Sequence, residues 1–401
     1  MNPPLERFLP SDGFAGTLVG RVWRPARAGR PGGPAVVAFR ADGVFDLSRR
    51  APTMAGLIAA SDPITIAHSG DEAAIVDGEH VERICDLAAL LENSVPQPDT
   101  ARPYLLAPND LQCIKAAGVT FAASLIERVI EERTKGDPAR ADAVRREFAL
   151  RIGIDLAAIK PGSPAAEQAK ALLQREGLWS QYLEVGIGPD AEVFTKAPPL
   201  SAVGTGAAIG IRRDSSWSNP EPEIVLVVDP AGAIKGAALG NDVNLRDFEG
   251  RSALLLGKSK DNNASCAIGP YIRLLDKSFT LADLRRAEVR LTVEGADGFR
   301  LEAVSDLGKI SRDVTDLVAQ TIGKHHQYPD GFVLFTGTMF APTQDRAGPG
   351  SGFTHKVGDL VTIASPKLGA LVNRVDYCDA ITPWSFGLGA LMQNLAARGL
   401  I

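Results

Sequence analysis

The 401-residue chain is poor in the residues that most often announce a site: it has 4 cysteines and 5 histidines. Cys85, Cys113, Cys266 and Cys378 lie far apart and form no C-x-x-C pair. That argues against a structural zinc site or a disulfide framework, and reduced thiols in the cytoplasm are the simple expectation. His68, His80, His325, His326 and His355 build no H-E-x-x-H helix. His325 and His326 read as helix-end residues. An excess of basic residues is also missing. The formal net charge is −5, which excludes the basic face of a nucleic-acid binder. No apolar run approaches the roughly 18 residues of a membrane span. The opening MNPPLERFLPSDG lacks the charged-then-apolar pattern of a signal peptide.

What is present is an ordinary globular composition, 45% hydrophobic and 23% charged, with 40 Gly and 27 Pro. The length suits one large domain and a smaller one. PAVVAFRADGVFDL (34–47) reads as strand, Asp-Gly turn, strand. Helical stretches around MAGLIAA and VERICDLAALLEN follow. The Pro- and Asp-rich VPQPDTARPYLLAPND then marks a boundary near residue 105. This gives a small N-terminal α/β domain, 1–105, and a catalytic domain, 106–401. Between about 119 and 180, SLIERVIEERTK, ARADAVRREFALRIG and SPAAEQAKALLQREGLW carry apolar residues at helical spacing and read as a helical insert, with Ser163 as an N-cap. After residue 191, EIVLVV, AAL, EVRLTVEG, GFVLFTG, DLVTIAS and GALVNRVD read as short strands without βαβ alternation, so the class is β-rich α+β.

Three glycine-rich stretches fail as nucleotide sites. LLLGKSK (254–260) lacks the first Gly of a phosphate loop, since Ser252 stands there. In VGTGAAIG (203–210) the third Gly comes one residue late. GPGSG (348–352) reads as a surface loop.

PEPEIVLVV (220–228) carries the chemistry. Alternate residues of a strand share a face, so Glu221 and Glu223 are neighbours, and two desolvated carboxylates side by side need a cation. A return strand through DPAGAIKG brings Asp242 back to them. Three oxygen donors with no His or Cys nearby suit a hard cation: Mg²⁺, with Mn²⁺ or Ca²⁺ as substitutes. The other reading is an exposed edge strand whose acids face water, and spacing alone does not choose between the two.

PEPEIVLVV, GNDVNLRDFEG, SCAIGPYI and FTGT, in that order, resemble the motifs of the fumarylacetoacetate hydrolase superfamily over roughly residues 113–401. The resemblance implies a β-roll catalytic domain, Mg²⁺ held by Glu221, Glu223 and Asp242, a small 2-oxo acid as substrate, and a homodimer or homotetramer. TFAASLIE (120–127) is similar to the segment that carries a His–Glu pair in the C–C hydrolases. Here Ser124 stands where the His falls, although Glu127 remains.

The insert, AEVFTK, RRDSSWSNPEPE and SCAIGP are similar instead to the 2-keto-3-deoxy-arabinonate (pentonate) dehydratases. That likeness implies catalysis by Glu192 and a lysine. Counting back from Pro270 favours Lys260, and the GKS string favours Lys258. The implied reaction is Mg²⁺-dependent dehydration of a 2-keto-3-deoxy sugar acid to 2-oxoglutarate semialdehyde. Hydrolysis of acylpyruvates or fumarylpyruvate is the alternative, and a non-catalytic acid-binding protein is a third reading. Lys196, four residues beyond Glu192 on one strand, is expected either to support a residue of the site from behind or to bind the substrate carboxylate. Thr338 in its G-T turn, Ser124 and Arg128 on one helix face, Arg246, and whichever lysine of 258 and 260 is not catalytic are expected to bind substrate.

Overall fold

The computed structural model describes residues 5–27, 29, 31–69, 81–135, 137, 140, 141, 143–146, 155–340, 344–346, 348 and 352–401. His80, part of the ARADAVRREFALRIG helix and most of the GPGSG loop lie outside these residues. The strands, in chain order, are β1 Leu18–Arg24, β2 Gly33–Arg40, β3 Gly43–Asp46, β4 Glu82–Cys85, β5 Tyr104–Leu106, β6 Cys113–Gly118, β7 Glu192–Ala197, β8 Ala208–Ile211 and β9 Ser218–Asn219. They continue with β10 Pro222–Val228, β11 Ile234–Asp242, β12 Asn244–Leu245, β13 Cys266–Leu274, β14 Glu288–Glu294, β15 Arg300–Asp306, β16 Phe332–Phe335, β17 Leu360–Ser365 and β18 Gly369–Tyr377.

An 11-stranded sheet runs β4-β3-β2-β1-β13-β11-β10-β16-β6-β7, with β5 on β1. A 5-stranded sheet, β15-β14-β17-β18-β8, packs against it. The α+β class and the β-rich catalytic region are as read from the sequence. The segment before residue 105 joins the large sheet, where β1 pairs with β13 in the register Leu18↔Arg273. A boundary near residue 105 is therefore a proposal about folding units within one hydrogen-bonded sheet.

β10 is apolar because both of its faces are covered. Ile224, Leu226 and Val228 enter the core between the sheets with Leu291, Ile363 and Leu371. Val225 and Val227 face a second core with Val36, Ile268 and Phe335. Each such side chain contributes roughly 1.5–3 kcal/mol of burial. That gain offsets the cost of carrying two acids into the interior at the strand's start.

Local expectations fare unevenly. Ser163 caps the Pro164–Arg175 helix by accepting from Ala166 N. VERICDLAALLEN is half strand: β4 takes residues 82–85, and the helix begins at Leu87, after Asp86 at the N-cap position. Pairing with β3 overrides helical spacing there. His325 and His326 lie in a turn closed by Gly323 and His326, past the end of the Val314–Thr321 helix. No helix among the described residues is long and apolar enough to cross a membrane. All four cysteines are free.

Candidate active site

β10 and β11 form an antiparallel pair in which Glu223 faces Gly240 and Pro222 faces Asn241. Asp242 N donates to Glu221 O at 3.1 Å, so the return strand ends directly beside the first acid. Glu221, Glu223 and Asp242 are buried, and each offers a carboxylate oxygen within 4.8 Å of the others. The edge-strand reading is thereby excluded.

Electrostatics separate the three. Burial, then Asp242 and Glu221, push the Glu223 carboxyl well above the usual range. Its hydrogen bond is from the backbone N–H of Gly337, at 2.7 Å. Gly337 has a φ of +85°, and a Cβ there would collide with Thr120. Burial raises Glu221 against the pull of Lys260 and Arg128. Burial also opposes ionisation of Asp242, but Lys196 and Lys260 outweigh it and lower its carboxyl.

The two candidate lysines part company. Lys260 ends the short Leu256–Lys260 helix and is buried, with Nζ 2.5 Å from Glu221 Oε2 and 3.0 Å from Asp242 Oδ2. Burial lowers its affinity for a proton, but Asp242 and Glu221 reverse that, and the ammonium is held well above its ordinary value. Lys258 is exposed, with Nζ 4.9 Å from the Phe248 ring centroid, and is not brought to the cluster.

Glu192, at the start of β7, lies opposite Gly118 of β6. A Cβ at Gly118 would strike the Glu192 carboxylate, so the glycine leaves it room. Burial and then Glu249 push the Glu192 carboxyl up to about 7. Glu192, Lys260 and the three acids line one cavity with Ser124, Arg128, Arg246 and Thr338. Arg128 donates to Glu221 Oε1 at 2.7 Å and to Glu131 at 2.8 Å, and also binds Glu249. Arg246 pairs with Glu131 at 2.6 Å beneath the face of Trp217. The Ser124 hydroxyl donates to Phe121 O at 3.0 Å. The Thr338 hydroxyl accepts from Phe340 N at 3.1 Å.

Lys196 does not reach the cavity wall as a substrate contact would. The pairing of β6 with β7 shifts register between Ile114 and Lys115, opposite Lys196, so the even count from Glu192 no longer keeps both on one face. Lys196 is 0% exposed and stands behind Asp242, 2.9 Å from Oδ1.

Sequence reasoning also missed Glu249 and Glu131. Both are buried against Arg128. The described residues lining the cavity include no histidine. Glu127 is bound by Arg145 at 2.8 Å through both oxygens. A larger cavity of about 340 Å³, lined by Arg24, Arg50 and Arg398, holds none of these groups, so chemistry rather than volume places the site.

Known proteins resemble this chain in sequence and in fold. Residues 183–376 match the fumarylacetoacetate (FAA) hydrolase C-terminal family model. That match covers a little under half of the chain and is a likeness to the fumarylacetoacetate hydrolase superfamily. Among the proteins it resembles is 2-dehydro-3-deoxy-D-arabinonate dehydratase of Saccharolobus solfataricus, 32% identical over 184 residues, covering 46% of this chain and 58% of that protein. The chain thus spans less than two thirds of that relative. A probable 2-keto-3-deoxyxylonate dehydratase of Haloferax volcanii is 29% identical over 61% of this chain and 88% of the other. The solved structure of 2-keto-3-deoxy-D-arabinonate dehydratase in its apo form shares the fold at TM-score 0.60 and 21% identity, over 90% of this chain and 99% of that one. A form complexed with magnesium and 2,5-dioxopentanoate aligns at TM-score 0.58.

Proposed function

We propose that this chain is a member of the fumarylacetoacetate hydrolase superfamily and a Mg²⁺-dependent hydro-lyase. It removes water from a 2-keto-3-deoxy-pentonate and yields 2-oxoglutarate semialdehyde, which is 2,5-dioxopentanoate. One observation carries the reading: a buried three-carboxylate cluster shares a cavity with Lys260 and a Glu192 held near neutrality, and the described lining includes no histidine.

The donor set fits a hard divalent cation. All three donors are carboxylates, and Glu223 is buried beside two other acids with a backbone N–H as its hydrogen-bond partner. Bound there, Mg²⁺ would polarise the 2-keto group and stabilise negative charge as a C3 proton leaves. Lys260 and Glu192 share the two proton transfers of dehydration, one taking the C3 proton and the other protonating the departing C4 hydroxyl. Moving a proton from C5 to C3 then gives the C4–C5 enol, and passage of its hydroxyl proton to C4 gives the aldehyde. The free volume among these side chains is about 40 Å³, too little for a five-carbon acid. Substrate entry therefore requires Lys260 or the Ala122–Thr134 helix to shift. Exposed Trp384, Leu388 and Met392 near the C-terminus suit the homodimer or homotetramer that belongs to this reading.

C–C hydrolysis is less well supported. Ser124 is turned to its own helix, and Glu127 is occupied by Arg145. The discriminating assay supplies Mg²⁺ with 2-keto-3-deoxy-pentonate and, separately, with an acylpyruvate. The semialdehyde is expected from the first. Pyruvate from the second, with no product from the first, would replace this reading with hydrolysis.

A further inference from the structure

Each acid of the triad has one oxygen already held, those of Glu221 and Glu223 by hydrogen-bond donors and that of Asp242 by an ion pair with an ammonium. Glu221 Oε1 accepts from Arg128 at 2.7 Å and from Asn244 at 3.2 Å. Glu223 Oε2 accepts from Gly337 N at 2.7 Å. Asp242 Oδ1 is 2.9 Å from Lys196 Nζ. The second oxygens of Glu221 and Asp242 both hold the Lys260 ammonium, at 2.5 and 3.0 Å. That ammonium stands where a cation bound between these two acids would draw on the same oxygens.

We propose that Lys196 is a positioning residue that sets which divalent cation the triad accepts, by leaving Asp242 a single oxygen to offer. The inference rests on the metal reading above and goes beyond it. The physical basis is a difference between ions. Ca²⁺ takes six to eight oxygens at about 2.3–2.6 Å and gains from bidentate carboxylates. Mg²⁺ takes six at about 2.0–2.1 Å and keeps several waters. A triad restricted to one oxygen per acid supplies three positions in a compact arrangement, which suits Mg²⁺ and starves Ca²⁺.

Lys196 is well placed to impose that restriction. It is 0% exposed, and its Nζ also donates to Val243 O at 3.2 Å and to the carbonyl of Lys260. Turning Asp242 to offer both oxygens would strand a buried ammonium, which is strongly disfavoured. The bond to the Lys260 carbonyl also fixes the end of the helix that carries Lys260. One side chain thus holds both the ligand and the neighbouring cation in register. Arg128 cannot be tested so cleanly, because it also neutralises Glu131 and Glu249.

The test is calorimetric titration of the substrate-free full-length protein with MgCl₂ and with CaCl₂, for wild type and Lys196→Met. Wild type should bind Mg²⁺ at least as tightly as Ca²⁺. In Lys196→Met the ratio of Ca²⁺ to Mg²⁺ affinity should rise by about tenfold or more, as Asp242 gains its second oxygen. An equal change in both affinities would make Lys196 merely structural and overturn the proposal. If the variant does not fold, wild type alone decides: tighter binding of Ca²⁺ than of Mg²⁺ overturns it. Binding of neither ion by wild type would remove the metal reading itself, an outcome distinct from a failure of Lys196.

Discussion

Two buried charge clusters in this molecule use the same kinds of side chain to opposite ends. Beside the 5-stranded sheet, Arg346 grips Asp359 through two bonds of 2.6 and 2.7 Å and reaches Asp297 at 3.1 Å. His355 and the backbone N–H of Lys356 complete Asp359, at 3.1 and 3.0 Å. Burial opposes its ionisation, yet Arg346 and His355 prevail and hold its carboxyl down to about 2. At the active site the balance is left incomplete. Glu223 has a backbone N–H where Asp359 has an arginine, and Glu192 is pushed up to about 7. A cluster whose acids are all paired stabilises a fold, whereas one that leaves acids short of a cation is poised to take up a cation or a proton.

Exchanging the logic of the two clusters should produce the largest effects. Arg346→Met leaves the buried Asp359 without its arginine and should cost about 3–5 kcal/mol in denaturant unfolding. Its Mg²⁺ affinity should stay within about twofold of wild type, since no residue of the triad touches Arg346. Glu223→Gln should do the reverse. Metal-free protein should melt no lower than wild type, because a buried acid without a cation has been removed. Mg²⁺ binding should vanish, and dehydratase activity should fall by roughly 10³-fold or more. A large loss of stability in Glu223→Gln, or of metal affinity in Arg346→Met, would erase the distinction.

The pH response separates the clusters at intermediate size. Asp359 is lowered in the folded state, so its contribution is present above its ordinary value of 3.8 and is lost as pH falls through about 2. Glu192 is raised, so its contribution is present below its ordinary value of 4.5 and is lost as pH rises through about 7. Glu192→Gln should therefore match wild type near pH 4.5. By pH 8 it should be more stable by on the order of 2–3 kcal/mol, measured without metal. A stability difference that does not change with pH would show that Glu192 is not held protonated.

The acidic cluster was more legible in sequence than the charges around it. Two acids at alternate positions ahead of Ile224–Val228, with a return strand of suitable length, make Glu221, Glu223 and Asp242 candidates, and the resemblance of the later motifs to a metal-binding family chooses them over an exposed edge. Lys260 follows from the resemblance, by its distance to the Gly269–Pro270 turn. The same periodicity failed at Lys196, because a register shift set by pairing between β6 and β7 leaves no local trace in AEVFTK. The ion pairs of Arg128 with Glu131 and Glu249 leave no trace in the sequence, because they form only when the Arg246–Arg251 helix packs on Ala122–Thr134. The large sheet was invisible for a similar reason: β1 meets β13 across some 250 residues of chain, and hydrophobic pattern does not encode partners.

The smallest expected effect is at Lys258, and it tests the sequence count most directly. Lys258 and Lys260 lie two apart on one short helix, with opposite surroundings. Lys258 is exposed and rests over Phe248, a contact worth about 0.5–1 kcal/mol at most in such a setting. Lys258→Ala should therefore lower stability by less than about 1 kcal/mol and leave kcat/KM within about twofold. Lys260→Met removes the ammonium that lies 2.5 Å from Glu221 and 3.0 Å from Asp242, and should abolish turnover. Comparable losses in the two variants would mean that Lys258 reaches the substrate after all, and that the helix turns when the site is filled.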